Sequence, residues 1–402
     1  MAWVEPHGRY WRVRYYRADG TVGSVSGRYA RPQARRVAES MNTDQWRGVF
    51  VDPAGGKTTL TEWAERWFDG LELARNTIAQ YDSLCANHIE PRFGQVALRS
   101  ITRPELRAWE AELRTSLASS TVTTTVKVLA MMLEDAVQAG LIRSNPAHRP
   151  RRGRRAPARV ERQWATPEQV LQLAAGARSL AGDWAYVLIV TLAYTGLRWG
   201  EAIGLRRIHV QTNRSLIRVV PEGALTEVDG KFAFADPKTT SGVRDVALPP
   251  FLAALLEEHL ESHDHELVFV GERGGMLRRS NFSRRVFRPA ADGREAKPAT
   301  RGRVAQAAIP AACPGLTPHG LRHSHNTWLI ADGIPEVARA RRMGWRVSGA
   351  IQEIYSHVAP EVEAQLLDGL ELRWRTAARD QPPTVSPMNV ESPSPERPGK
   401  GL

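Results

Sequence analysis

Between Arg149 and Arg162 the chain places arginines at 149, 151, 152, 154, 155, 159 and 162, spaced by Pro150, Gly153 and Pro157. A stretch so charged and so poor in apolar side chains cannot join a core. It divides the chain into two lengths that must each bury a core of their own. The 402 residues allow two to three domains in all. The run itself, 149–162, reads as a basic linker.

Composition narrows the class. The formal net charge of +12 favours a polyanionic partner, nucleic acid before others, although basic housekeeping proteins share that property. Cys85 and Cys313 are the only cysteines, too few for a disulfide framework or a zinc ligand set, as suits a reducing cytosol. No apolar run approaches the roughly 20 residues that span a bilayer, and Met-Ala-Trp-Val-Glu is no signal peptide. A cytoplasmic protein without a membrane partner is expected.

Residues 1–48 read as a small α+β domain. Trp11, Val13 and Tyr15 alternate with Arg12, Arg14 and Tyr16, the period of a half-exposed strand. Asp19-Gly20 signals a hairpin returning through Thr21–Ser26, and a basic helix follows from Arg31, with Ala34, Val37, Ala38 and Met41 inward. The aromatic and basic face either enters a DNA groove or packs on the helix. Residues 58–148 read as an all-α domain. Trp63, Trp67 and Leu71 form a core stripe, Ile78, Tyr81, Leu84, Cys85 and His88 a second, Thr102–Glu105 a capping box, and Val122–Ala139 a last helix ended by Gly140.

The third domain, 163–376, is mainly α with a small antiparallel sheet. Thr166-Pro167 opens it, and Asp183–Tyr194 is a strongly apolar helix running into Thr-Gly-Leu-Arg198-Trp-Gly-Glu201. Ser215–Val220, Lys231–Asp236 and Val243–Leu248 are predicted as three strands of one sheet, with Lys238 in the turn before the last, and Leu267–Val270 as a further short strand. Residues 290–312 have no clear period and read as an exposed loop. Thr317-Pro318 starts a helix, which sets His319 and Arg322 on one face near its positive end, a receptor for an anion such as phosphate. A further helix, Pro335–Met343, stops at Gly344. Trp345 and Tyr355 follow, then the helix Glu361–Trp374 and a Pro- and Ser-rich tail, 377–402, expected to be disordered.

Arg198 in T-G-L-R-x-G-E, Lys238 in its turn, His319-x-x-Arg322 and Tyr355 in Y-S-H-V together resemble the tyrosine recombinases of the phage-integrase type, over most of residues 58–375. The resemblance implies that residues 58–148 are a core-binding domain and that residues 1–48 bind arm sites through Arg12 and Arg14. Between domains that clamp DNA, Arg149, Arg151, Arg152, Arg154 and Arg155 become candidate phosphate contacts, which add affinity without sequence information.

Cleaving DNA without a metal requires a side-chain nucleophile, a cationic clamp and an acid for the leaving 5′ oxygen. Of the three tyrosines in the domain, Tyr186 and Tyr194 lie in the apolar helix, which leaves Tyr355 among polar neighbours as nucleophile. Tyrosine titrates near 10, so ionising it at pH 7 costs about 4 kcal/mol, which nearby guanidinium groups offset. Arg198 and Arg322 supply planar forks for the phosphate. The resemblance further assigns Lys238 as the acid, His319 as proton acceptor or donor near the nucleophile, and Trp345 to a position where most relatives have His. Trp345 and Tyr355 stand one residue further apart than in relatives. Glu201 is expected to orient neighbouring groups, His323, His325 and His357 to be supporting or solvent-facing, and His263-Asp264-His265 to be a polar turn rather than a metal site.

The implied protein is a site-specific recombinase, an integrase of a phage or mobile element, acting through a 3′-phosphotyrosyl link without metal or nucleotide. It would act on double-stranded DNA as a homotetramer, with an excisionase or host DNA-bending factor as accessory partners, in the nucleoid. Glu361–Trp374 is the candidate for docking between protomers. A chromosome- or plasmid-resolving recombinase, a type IB topoisomerase and an inactive DNA-binding regulator are the alternatives.

Overall fold

A computed structural model describes residues 1–17, 20–48, 50–53, 55–147, 162–228, 230–235, 242–300, 304–346 and 358–379. The chain divides into two compact units, Met1–Pro157 and Ala158–Leu402. No helix of the described residues is long and apolar enough to cross a membrane.

The first unit begins with an antiparallel sheet of β1 (Ala2–His7), β2 (Tyr10–Tyr16) and β3 (Val22–Tyr29) in that order, backed by α1 (Arg31–Trp46). The alternation in β2 turns Val13 and Tyr15 onto Ala34, Ala38 and Met41 of α1, so Tyr15 is core rather than a groove-inserting aromatic. Tyr10 and Tyr16 stand exposed. Strand β1 was not anticipated: Pro6 argues against a central strand but is tolerated at this edge, where it pairs with Trp11.

The helices of this unit are α2 (Leu60–Asp69), α3 (Arg75–Leu84), α4 (Glu90–Phe93), α5 (Arg103–Ser116) and α6 (Ser119–Gln138). Thr59 with Glu62 and Thr102 with Glu105 close capping boxes. Trp63 and Trp67 are core-facing, their indole N–H groups donating to the Met132 carbonyl and the Asp135 carboxylate at 2.8 and 2.6 Å. A single π turn, Cys85–Ile89, joins α3 to α4. Pro91 follows it and has no N–H for the Asn87 carbonyl, so the hydrogen-bond register slips by one residue.

In the second unit α7 (Pro167–Ala181) leads to α8 (Asp183–Thr195), which is almost wholly buried and forms the axis of the core. After α9 (Trp199–Ile203) the strands depart from expectation. β4 (Val210–Gln211), β5 (Leu216–Val219) and a later strand, Arg244–Ala247, make one sheet, whereas β6 (Ala224–Val228) and β7 (Lys231–Ala235) pair only with each other. Neither Val210–Gln211 nor Ala224–Val228 is among the expected strands. Gly230, at φ +73°, lets the chain reverse there and pair Val228 with Lys231 locally, which takes 231–235 out of the larger sheet. Arg244–Ala247 is β8, paired directly with β5. Leu267 makes one isolated bridge to Arg206 instead of a strand.

Beyond α10 (Pro250–Glu261), α11 (Arg279–Phe282) and α12 (Arg288–Asp292), the expected loop is a bridged arm. Arg294 pairs with Ile309 and Lys297 with Gln306. Then come α13 (Pro318–Ala331), α14 (Glu336–Met343) and α15 (Pro360–Arg379). The candidate docking helix lies within α15, which packs on its own unit. Leu366, Leu370 and Ala377 are buried there, Trp374 stacks on Phe251 with centroids 4.1 Å apart, and Arg373 holds Asp332. This helix continues to Arg379, past the boundary predicted for the tail. Residues 380–402 lie outside the described residues.

Candidate active site

Two chain reversals and one helix start build the site. Helix α8 ends at Gly196, which adopts φ +66°. A Cβ there would also lie 2.8 Å from Cδ2 of His325, so glycine is required twice over. The reversal delivers Arg198 to the N-cap of α9, where Glu201 accepts from its backbone N–H at 2.9 Å and from its Nη1 at 2.8 Å. Thr317 caps α13 by accepting from the Gly320 N–H, as its sequence predicts. One turn on, Arg322 is buried and donates to the carbonyls of Gly196 and Met343. Arg198 donates to the next carbonyl, Gly344, at 2.8 Å. Gly344 itself is left-handed, at φ +66°, and ends α14. Arg198 and Arg322 thus hang from consecutive carbonyls of one turn, although they come from elements far apart in sequence.

Glu201 is the buried anion of the cluster. Burial works against its ionised form, but hydrogen bonds and charge from Arg244 and Arg198 outweigh that and keep its pKa below the usual carboxylate value. Burial, reinforced by Arg198 and Arg244, lowers the pKa of Arg322 to about 9, which leaves it charged at neutral pH. Arg198 retains 23% side-chain exposure although its Nη1 and Nη2 are engaged by Glu201 and the Gly344 carbonyl. An arrangement of this kind can grip the non-bridging oxygens of a phosphodiester.

His319 lies on the exposed side of α13, its ring edge against His323 with centroids 4.8 Å apart. Partial burial of the ring, then His323, Arg322, Arg279 and Arg162, lower its pKa to about 4. The shift favours the neutral imidazole at pH 7, whose free ring nitrogen can accept a hydrogen bond. Arg162 meets Nε2 of His323 at 2.8 Å. Trp345 is half-buried at a cavity of about 390 Å³ that it shares with Val243, Arg244, Asp245, Ala340 and Arg341.

Lys238 and Tyr355 lie outside the described residues, as do His357, Arg149, Arg151, Arg152, Arg154 and Arg155. The described chain on either side of Lys238 runs to Ala235 and resumes at Gly242, whose carbonyl accepts from Arg244 at 2.7 Å. The other two tyrosines of the unit are drawn into its core. Burial raises the pKa of both Tyr186 and Tyr194, and Tyr194 is fully enclosed by Phe251, Trp328 and Trp374. In the first unit Arg12 and Arg14 both reach Glu5, at 3.3 and 3.2 Å.

Two residues escaped the sequence reading. Arg244 is in phase with Val246 and Leu248, and that alternation could have shown that it points inward. Arg342 follows Ala338 on the buried face of α14, the same kind of signal. His325, expected to be supporting or solvent-facing, is wholly buried. His263 accords with a polar turn, its Nε2 lying 3.2 Å from the Val268 carbonyl.

Residues 163–361 match the model of the phage integrase family, and residues 59–123 match the phage integrase N-terminal SAM-like domain. The chain belongs to the phage integrase family. Membership makes it a site-specific DNA recombinase of the tyrosine class. An integrase of prophage phiRv2 from Mycobacterium tuberculosis is 28% identical over 362 residues, 87% of this chain and 89% of that protein. The tyrosine recombinase XerC of a Mycobacterium species is also 28% identical, over 67% of this chain and 83% of its own length. Among solved structures, the Tn1549 transposon integrase in complex with a circular intermediate DNA superposes with a TM-score of 0.59 at 19% identity, covering 78% of this chain and 99% of that one. A lambda integrase tetramer bound to a Holliday junction gives 0.53 at 16% identity, covering 89% and 98%. At such identities the structural likeness is one of fold. The integrase fold accounts for the helical first unit after its small sheet, and for a mainly helical second unit with small antiparallel sheets.

Proposed function

We propose that this integrase-family chain integrates or excises a phage or other mobile element by cutting and rejoining DNA strands through Tyr355. Its phenol oxygen attacks the scissile phosphorus, a 3′-phosphotyrosyl bond forms and the bond to the 5′ oxygen breaks. The phenol proton passes to neutral His319, and Lys238 protonates the departing oxygen. Attack by another strand's 5′ hydroxyl reverses these steps and frees the tyrosine. Arg198 and Arg322 hold the non-bridging oxygens as charge builds on them, Trp345 adds an indole donor, and Glu201 orients Arg198.

The observation that carries this reading is the attachment of Arg322 to the Met343 carbonyl and of Arg198 to the Gly344 carbonyl, just before the segment that contains Tyr355. Residues 1–48, 58–148 and 163–376 act in this reading as arm-binding, core-binding and catalytic domains. Arg12, Arg14 and the 149–162 arginines contact the DNA backbone. The partner is double-stranded attachment-site DNA held by a homotetramer, with an excisionase or host bending factor setting direction. The phiRv2 relative matches more of this chain than XerC does, which favours an integrase over a chromosome resolvase.

A nicked duplex that traps the cleaved strand tests the reading. A covalent DNA–protein adduct is expected, and Tyr355→Phe should abolish it. An adduct that persists in that variant, or none from the unaltered chain, overturns the assignment.

A further inference from the structure

Arg342 is a buried guanidinium that the reaction above does not use. Its Nε donates to Nε2 of His325 at 2.9 Å, its Nη1 to the Ala247 carbonyl at 2.8 Å and its Nη2 to the Tyr194 carbonyl at 3.0 Å. Among the described residues no carboxylate lies within ion-pair distance of it. Its own carbonyl accepts from Nε of Arg244 at 2.7 Å. Its hydrogen bonds all go to neutral acceptors, and the charge of Glu363 offsets only part of the cost of burial, so its pKa falls to about 9; a buried charge held this way is unfavourable unless its geometry is needed.

The neighbours of Arg342 indicate what that geometry serves. The next two residues, Met343 and Gly344, supply the carbonyls that hold Arg322 and Arg198. On the other side His325 lies against Gly196, whose carbonyl is the second anchor of Arg322. The Tyr194 carbonyl fixes the end of α8 two residues before Gly196. One guanidinium therefore ties together both backbone turns from which the phosphate-facing arginines are suspended.

We infer that Arg342, acting with His325, is a positioning residue that sets the spacing of the Arg198 and Arg322 forks on the scissile phosphate. The bond requires His325 Nε2 to be an acceptor, so the imidazole is neutral and carries its proton on Nδ1. Burial, then Arg342 and Arg322, hold its pKa well below the ordinary value and keep it in that form. Glutamine at 325 offers an acceptor in the same place; leucine does not.

This inference rests on the proposed function, and its test separates the two. The full-length chain is given a nicked duplex, selected for adduct formation with the unaltered protein, carrying either a phosphate or an uncharged methylphosphonate at the cleaved position. Arg342→Met should slow adduct formation on phosphate by at least about 30-fold, with DNA affinity within about threefold. On methylphosphonate, which has one negative charge fewer to clamp, the deficit should shrink to a few-fold. His325→Leu should behave like Arg342→Met, His325→Gln should recover most of the rate, and the double variant should be no slower than either single one.

The inference is overturned if Arg342→Met cleaves phosphate normally, if it is equally slow on both substrates, or if His325→Gln is as impaired as His325→Leu. Thermal unfolding of each variant identifies mere loss of fold, which would slow both substrates alike. Failure of the unaltered chain to form any adduct would instead overturn the proposed function, and this inference with it.

Discussion

Arg244 closes its two terminal nitrogens on the carboxylate of Glu201 at 3.3 and 3.0 Å, and neither side chain is more than 4% exposed. The same carboxylate holds Arg198, so the pair joins strand β8 to the turn that presents Arg198. Removing one member leaves the other charge buried without its partner. Glu201→Gln is expected to destabilise the protein by about 3–5 kcal/mol. Arg244→Met combined with Glu201→Leu should recover much of that loss. Denaturant unfolding measures both, and a Glu201→Gln effect below about 1 kcal/mol would contradict the pairing as the source of stability.

Arg198→Lys and Arg322→Lys each keep the charge but lose the planar fork and its carbonyl anchors. Cleavage should fall by about 100-fold or more while DNA affinity changes little. Rates on a nicked duplex beside binding curves decide the matter, and near-normal cleavage in both variants would remove the clamp from the mechanism.

His259 and His325 both have lowered pKa values, His259 through burial above all and His325 through burial followed by Arg342 and Arg322. Each takes up a proton more readily when unfolded, near the ordinary value of about 6.5, than when folded. Their contribution to stability is complete above that value and is lost as pH falls through it toward the folded values. The thermal midpoint should therefore drop between about pH 7 and about pH 5, and His259→Gln should make the drop shallower. An unchanged slope in that variant would show that the imidazole is protonated equally in both states.

Neutralising Arg149, Arg151, Arg152, Arg154 and Arg155 should weaken DNA binding and reduce the slope of log affinity against log salt by as much as about four. Titrations at several salt concentrations measure it. An unaltered slope would make the segment a spacer.

Trp374 stacks on Phe251 at an interplanar angle of 6°, and Glu371 accepts from the Phe251 N–H at 3.0 Å. Trp374→Ala should destabilise the protein by about 2 kcal/mol, independently of protein concentration, because the contact lies within one chain. A loss that disappears on dilution would place this helix on a neighbouring protomer instead.

Sequence by itself determined the elements whose signals are local. The Thr102, Thr166 and Thr317 helix starts, the apolar run of α8, the alternation of β2, and the placing of Arg198, Glu201, His319 and Arg322 beside glycine bends or caps each depend on a few consecutive residues and follow from backbone sterics and periodicity. Partner choice among strands was decided only in three dimensions, because residues 224–228 can pair with whichever strand the turn at Gly230 brings close. The periodicity of their elements hints that Arg244 and Arg342 face inward, but only the tertiary structure supplies the partners that let them and His325 stay buried. A buried arginine and an exposed one are the same letter until the carbonyls of Tyr194, Ala247 and Arg342, contributed by distant turns, meet them. What hydrophobic burial would forbid, those backbone acceptors permit, and they exist only once the chain has folded.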